Sequence, residues 1–202
     1  MERTMAGLIS VALACGLAAE ADLLTAIVAV ESGGYPYALQ VNGEMELVRR
    51  PNDRKEAVAI ASWLLAHRFN FDAGLAQVNS ANFARLGLDA ASAFEPCSNL
   101  RAAVAVLREC RERAQDRGLK GGRAEVAALS CYNTGDLTRG VANGYAAAVR
   151  AALHHTLPSS TRPREPVVVP PPSTFPTASR RPDAFAAYAA AEAGATSFNP
   201  HP

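Results

Sequence analysis

Apolar positions recur with a helical period through most of the first 157 residues, and the period is lost after that. The clearest case is ADLLTAIVAVESGG, residues 21–34. Leu23, Leu24, Ile27, Val28 and Val30 predict a helix there, with Asp22 as its N-cap and Gly33-Gly34 as its stop. Similar stripes predict helices over 53–67 (Ala57, Ile60, Ala61, Leu64, Leu65), 81–86, 99–117 (Leu100, Val104, Leu107, Cys110), 125–133 and 145–157. Ser98 is a candidate cap for the helix at 99. Between the first two helices, residues 38–49 alternate around Asn42-Gly43, a hairpin signal. The segment FNFDAGLAQVNS, 69–80, has no clean period and crowds aromatic, glycine and amide residues together.

One polar residue breaks the apolar face of the first stripe. Glu31 follows Leu24 by seven, Ile27 by four and Val28 by three, which puts a carboxylate on the buried side of its helix. Burial there raises its pKa, and the negative end of the helix dipole acts in the same direction. A carboxyl group still protonated near neutral pH is what a general acid needs; the plainer reading is a satisfied structural Glu. Gln77 and Asn79 are neutral hydrogen-bonding groups suited to hydroxyl and acetamido groups, although Asn79 could simply cap the next helix. Tyr132, Asn133 and Tyr145 sit at loop junctions rich in glycine, and Trp63 is a candidate sugar platform or, more simply, a core residue.

Composition divides the chain into three parts. Ten of its thirteen prolines follow Leu157. Residues 158–202 therefore read as a disordered, Pro-rich tail, with an Ala-rich stretch at 183–193 able to form a marginal helix. Residues 18–157 read as one folded domain. Residues 1–17 are an apolar run that suits either a signal-peptide core or the first helix, and the run is too short for a stable membrane span. Net charge is +1, which gives no footprint for nucleic acid.

Four cysteines, Cys15, Cys97, Cys110 and Cys131, allow two disulfides in an oxidising compartment. Cys97 and Cys110 bracket one predicted helix, roughly 20 Å apart, too far to bond to each other. That leaves Cys15–Cys97 with Cys110–Cys131, which is preferred, or Cys15–Cys110 with Cys97–Cys131. No CxxC pair occurs and the histidines are scattered, so neither a metal nor another cofactor is expected.

Taken in order, Glu31-Ser32-Gly33, Pro36, Leu47 to Pro51, Gly74-Leu75-Ala76-Gln77-Val78-Asn79, Phe94-Glu95-Pro96 with Asn99-Leu100, and Ala128 to Gly135 resemble the blocks of the soluble lytic transglycosylases. The similarity is greatest to the specialised members of type IV secretion and conjugation systems, and it covers roughly residues 15–149. It implies a mainly α, lysozyme-like fold with a small β-hairpin beside the cleft. It also implies a periplasmic enzyme that cuts the β-1,4 MurNAc–GlcNAc bond of peptidoglycan and leaves 1,6-anhydro ends. By the same resemblance Glu31 is the single catalytic acid/base, and Ser32, Gln77, Asn79, Tyr132, Asn133 and Tyr145 bind substrate, with Tyr132 orienting Glu31.

Asp72 reads as a structural loop residue in that scheme. Gln40 replaces a common Ser, and Ala76 replaces a common Met. The tail would dock secretion components. The alternatives are a goose-type muramidase that uses water and a non-catalytic glycan-binding assembly factor.

Overall fold

A computed structural model of the chain describes residues 5–43, 45, 47 and 49–156. The Pro-rich segment 158–202 lies outside the described residues, as does its Ala-rich stretch. Helix α2 (Ala21–Glu31) lies at the centre, with Leu24, Ala26, Ile27 and Val28 almost wholly buried. It packs against α1 (Met5–Ala14) and α8 (Tyr145–Thr156) and touches α5 (Pro96–Asp116). The apolar run at the start of the chain is thus a helix laid on this core through Leu8 and Ala12. Its end is tied down twice: Cys15 is disulfide-bonded to Cys97, and Arg101 donates to the Cys15 carbonyl at 3.1 Å.

Cys110 is bonded to Cys131, joining α5 to α6 (Gly122–Thr134), and the preferred pairing is the one observed. Asp22 lies in the first turn of α2 rather than at its N-cap. A 3-10 turn at Ala18–Glu20 leads straight into the helix and leaves Glu20 at the cap position. Helix α5 likewise starts earlier than Ser98. Pro96, with its φ preset for a helix, occupies the first turn behind Glu95.

The sheet departs from the expected local hairpin at Asn42-Gly43. Strand β1 (Leu39–Val41) pairs antiparallel with β2 (Phe71–Ala73), which pairs with β3 (Val78–Asn79), in the order β1-β2-β3. Burial explains the choice. Leu39 faces Ala73 and Val41 faces Phe71, all four in the core, whereas the partner offered just after Gly43 supplies only the half-buried Met45 and Leu47. Side chains alternate along a strand, so Gln40, Asp72 and Asn79 share the opposite face, with Asp72 in register with both of the others.

Helix α3 (Arg54–Ala66) starts one residue later than expected, with Asp53 as its cap: Asp53 accepts from the Glu56 N–H at 2.9 Å, and Glu56 accepts from the Asn52 N–H at 2.6 Å. Trp63 belongs to this helix, stacked on His67 and Phe69, and lines neither of the two cavities at Glu31.

Candidate active site

The chain turns off directly after Glu31. Ser32 ends α2, its hydroxyl donating to the Val28 carbonyl at 3.3 Å and accepting from the Gly34 N–H at 3.2 Å. Gly33 and Gly34 then take positive φ, where a side chain would be strained. Ser32 is 3% exposed, so its hydroxyl is committed to the helix end.

Helix α8 brings the partner of Glu31. Asn133 accepts from the Asn143 side-chain amide at 2.9 Å, and Asn143 accepts from the Tyr145 N–H at 3.0 Å, which sets where α8 begins. Tyr145 then donates its hydroxyl to Glu31 Oε1 at 2.6 Å. Tyr132, expected at Glu31, instead donates to the Ala76 carbonyl at 2.7 Å and holds the loop between β2 and β3. Orientation of the acid falls to Tyr145, from 114 residues further along the chain.

Burial pushes the Glu31 carboxyl up to about 7, the Tyr145 hydrogen bond opposes that shift, and the charge of Asp72 adds to it. Both phenols are pushed up by burial and by Glu31, so each stays a donor.

The β2–β3 loop forms the opposite wall. Asn99 is fully buried. It donates to the carbonyls of Ala73 and Ala93, both at 2.9 Å, and accepts from the Ala76 N–H at 2.8 Å. Gly74 lies so close beneath it that a Cβ would meet the Ala93 oxygen and the Asn99 amide at 2.4 Å. Gln77 takes a positive φ of 47°, braced by its own side chain, which donates to Ala38 and Gly74 carbonyls. Asn79 accepts from the Ala81 N–H, the expected cap, and also donates to Asp72 at 2.8 Å.

Two cavities meet at Glu31. One, of about 410 Å³, is lined by Glu31, Asp72, Gln77, Asn79, Tyr132 and Asn133, among others. The other, of about 330 Å³, lies between Glu31, Ser32, Gln77, Gln40, Leu47 and Arg49. An acid between two polar hollows fits an extended polymer crossing it, with bond cleavage at the junction. Tyr145 stands behind the acid and lines neither hollow. Asn99, Asn42 and Asp72 were not singled out from sequence as site residues. Asp72 lay beside the GLAQVN block, Asn42 in the turn signal before Gly43 and Asn99 in the block at the start of the next helix, but only the folded chain brings them together.

The sequence profile described as Transglycosylase SLT domain matches residues 12–154. The chain is 40% identical over 132 residues to the type IV secretion system protein virB1 of Brucella abortus biovar 1, which covers 62% of this chain and 53% of that protein. It is 36% identical over 155 residues to the protein virB1 of Agrobacterium fabrum, covering 75% of this chain and 61% of that protein. The chain thus spans about half the length of the Brucella relative. No solved structure matches it.

Proposed function

The chain belongs to the transglycosylase SLT domain family, and from that premise we propose that it cleaves the MurNAc–GlcNAc bond of peptidoglycan without water, opening the wall for a type IV secretion or conjugation apparatus. The observation that carries the reading is Glu31: a sequestered carboxyl poised at about 7, braced by one phenol, between two polar cavities. A group at that value is accessible in both protonation states within one turnover.

In the first half, Glu31 gives its proton to the glycosidic oxygen and the bond from that oxygen to the muramic C1 breaks. In the second, the C6 hydroxyl oxygen of the same sugar bonds to C1, and the Glu31 carboxylate takes that hydroxyl's proton. The 1,6-anhydro ring closes, the acid is restored and no water is consumed.

Weighing the products of purified sacculi tests this. Transglycosylation predicts muropeptides lighter by one water than those of a hydrolase. Reducing ends in their place would assign the muramidase alternative.

The two disulfides support a location outside the cytoplasm, the periplasm in this reading, since such bonds persist in oxidising compartments. The names of the relatives and the proline-rich composition support a role for residues 158–202 in docking secretion components. Deleting those residues should impair assembly of the apparatus while digestion of sacculi continues at the full rate. Equal loss of both, or of neither, would reject that role.

A further inference from the structure

The last turn of α6 carries Tyr132 and Asn133 into the cavity at Glu31. Its first turns line a separate hollow of about 580 Å³, which shares no residue with either cavity at Glu31. Much of this hollow is apolar. Leu119, Val126 and Leu137 are half-buried, and Val141 is 48% exposed. Beside them Ala114, Ala124 and Ala127 form a small core apart from the main one. Three exposed cations, Lys120, Arg123 and Arg150, line the same hollow. Among the described residues none of the three has an ion-pair partner, and no acidic residue lines the hollow.

The exposure of Val141 is built into the fold. It lies on the short helix α7 (Arg139–Ala142), and Asp136 leads into that helix by accepting from the N–H groups of Thr138 and Arg139 at 2.8 and 3.0 Å. Ser130, fully buried in α6, accepts from the Gly140 N–H and donates to the Asp136 carbonyl, both at 2.7 Å. Gly140 comes so close that a Cβ would lie 2.6 Å from the Ser130 Cα. Helix α7 is thereby pinned to α6, and Val141 is held in the open beside the cations.

Unpaired cations around an apolar surface suit a ligand that carries several carboxylates and small aliphatic groups. A hollow of this volume suits a short peptide, not a protein domain. The wall offers that chemistry, because the stem peptides on muramic acid are a few residues long, rich in alanine and bear free carboxylates. Arg123 and Tyr132 lie roughly 14 Å apart along the axis of α6. A stem peptide on the glycan in the cleft, or on a neighbouring strand, is therefore within reach of the hollow.

We propose that this hollow is a second wall-binding site that takes an acidic stem peptide of peptidoglycan, with carboxylates on Lys120, Arg123 and Arg150 and alanine methyls on Val126, Leu137 and Val141. The proposal rests on the glycan-cleaving reading above and gives the protein a hold on the peptide in addition to the glycan. Two linked contacts hold a polymer more tightly than either one alone.

The test measures binding by the full chain carrying Glu31→Gln, so that the wall is not consumed. The ligands are intact sacculi and immobilised glycan strands stripped of their peptides by an amidase. Adding Arg123→Ala and Arg150→Ala should raise the half-saturating concentration on sacculi about tenfold and leave that on stripped glycan unchanged. Val141→Ser, which alters no charge, should also weaken binding to sacculi alone. Lys55→Ala with Arg108→Ala removes the same charge elsewhere and should match its parent on both ligands. All these side chains are exposed, so each variant should melt with its parent.

Unchanged sacculus binding by the Arg123 and Arg150 variant overturns the proposal; if that variant also fails to support assembly of the apparatus, the hollow belongs to an acidic protein partner. An equal loss on stripped glycan, or in the Lys55 and Arg108 control, overturns it too, since general charge attraction then accounts for the effect. So does an unaffected Val141→Ser. The glycan-cleaving reading fails separately: a protein with Glu31 intact that releases no muropeptides removes that reading, while the binding comparison still decides the hollow.

Discussion

Glu31→Gln is expected to lower glycan cleavage by about 10³-fold or more and, at the same time, to stabilise the fold above neutral pH. The neutral amide keeps the volume and still accepts the Tyr145 hydroxyl through its oxygen, so the site should keep its shape. What it loses is the proton. The stability change follows from the same burial that tunes the acid. The folded-state pKa, about 7, lies above the ordinary 4.5. The native form therefore holds a proton that the unfolded chain has released, and wild-type stability falls as pH rises from about 4.5 through 7. A shift of that size corresponds to about 3 kcal/mol once the titration is complete. Melting wild type and variant side by side should show near-equal stability at pH 4.5 and a higher melting temperature for Glu31→Gln at pH 8. A gain that did not depend on pH would mean that Glu31 is solvated in the folded protein. An undiminished rate of cleavage would mean that it is not the acid.

The position of Glu31 could be read from sequence because it depends on short-range geometry. A 3.6-residue period over Leu24, Ile27 and Val28 fixes which side of the helix residue 31 occupies, and α2 as observed ends on that residue. The group that orients the acid could not be read in the same way. Tyr132 comes just before one glycine junction and Tyr145 just after another, and only the packing of α8 on α2 puts the Tyr145 hydroxyl at Oε1 while Tyr132 reaches the Ala76 carbonyl.

The sheet shows the same limit. Asn42-Gly43 has the composition of a tight turn, but Phe71 offers β1 more buried surface than Met45 does, and a non-local pairing wins. With that pairing, Asp72 moves from a loop to the middle of the polar face beside the cavity, which its place in FNFDAGLAQVNS did not reveal. Asn99 was visible only as part of a helix start. Its role comes from three backbone partners earlier in the chain, at residues 73, 76 and 93, the first two more than twenty residues away.

The two disulfides should separate stability from turnover. Cys15–Cys97 closes 82 residues of separation and Cys110–Cys131 closes 21. In the chain-entropy treatment these are worth about 4.5 and about 3 kcal/mol respectively. The first ties α1 to the start of α5, lines neither cavity at Glu31, and few residues of α1 are buried to hold it otherwise. Cys15→Ser with Cys97→Ser is therefore expected to cost the larger amount in urea unfolding and to expose α1 to protease. The protein that remains folded should digest sacculi at close to the wild-type rate.

The second bond lines the cavity itself, directly before Tyr132 and Asn133. Cys110→Ser with Cys131→Ser should cost less stability but more activity, because the end of α6 loses the link that aligns it with α5. Two polar links would remain: the bidentate ion pair of Arg111 with Glu125 at 3.0 Å, near the start of α6 and roughly a turn and a half from residue 131, and the Arg113 donation to the Gly135 carbonyl at 3.0 Å, just past the end of α6. A half-exposed pair of this kind contributes about 1 kcal/mol at most. The ion pair would keep the helices together at one end, and the exposed Arg113 hydrogen bond would hold the end that carries Tyr132 less tightly than the covalent link did. If the second double variant kept full turnover, α6 would have to be positioned by its core contacts alone, and the bond would be a matter of stability only.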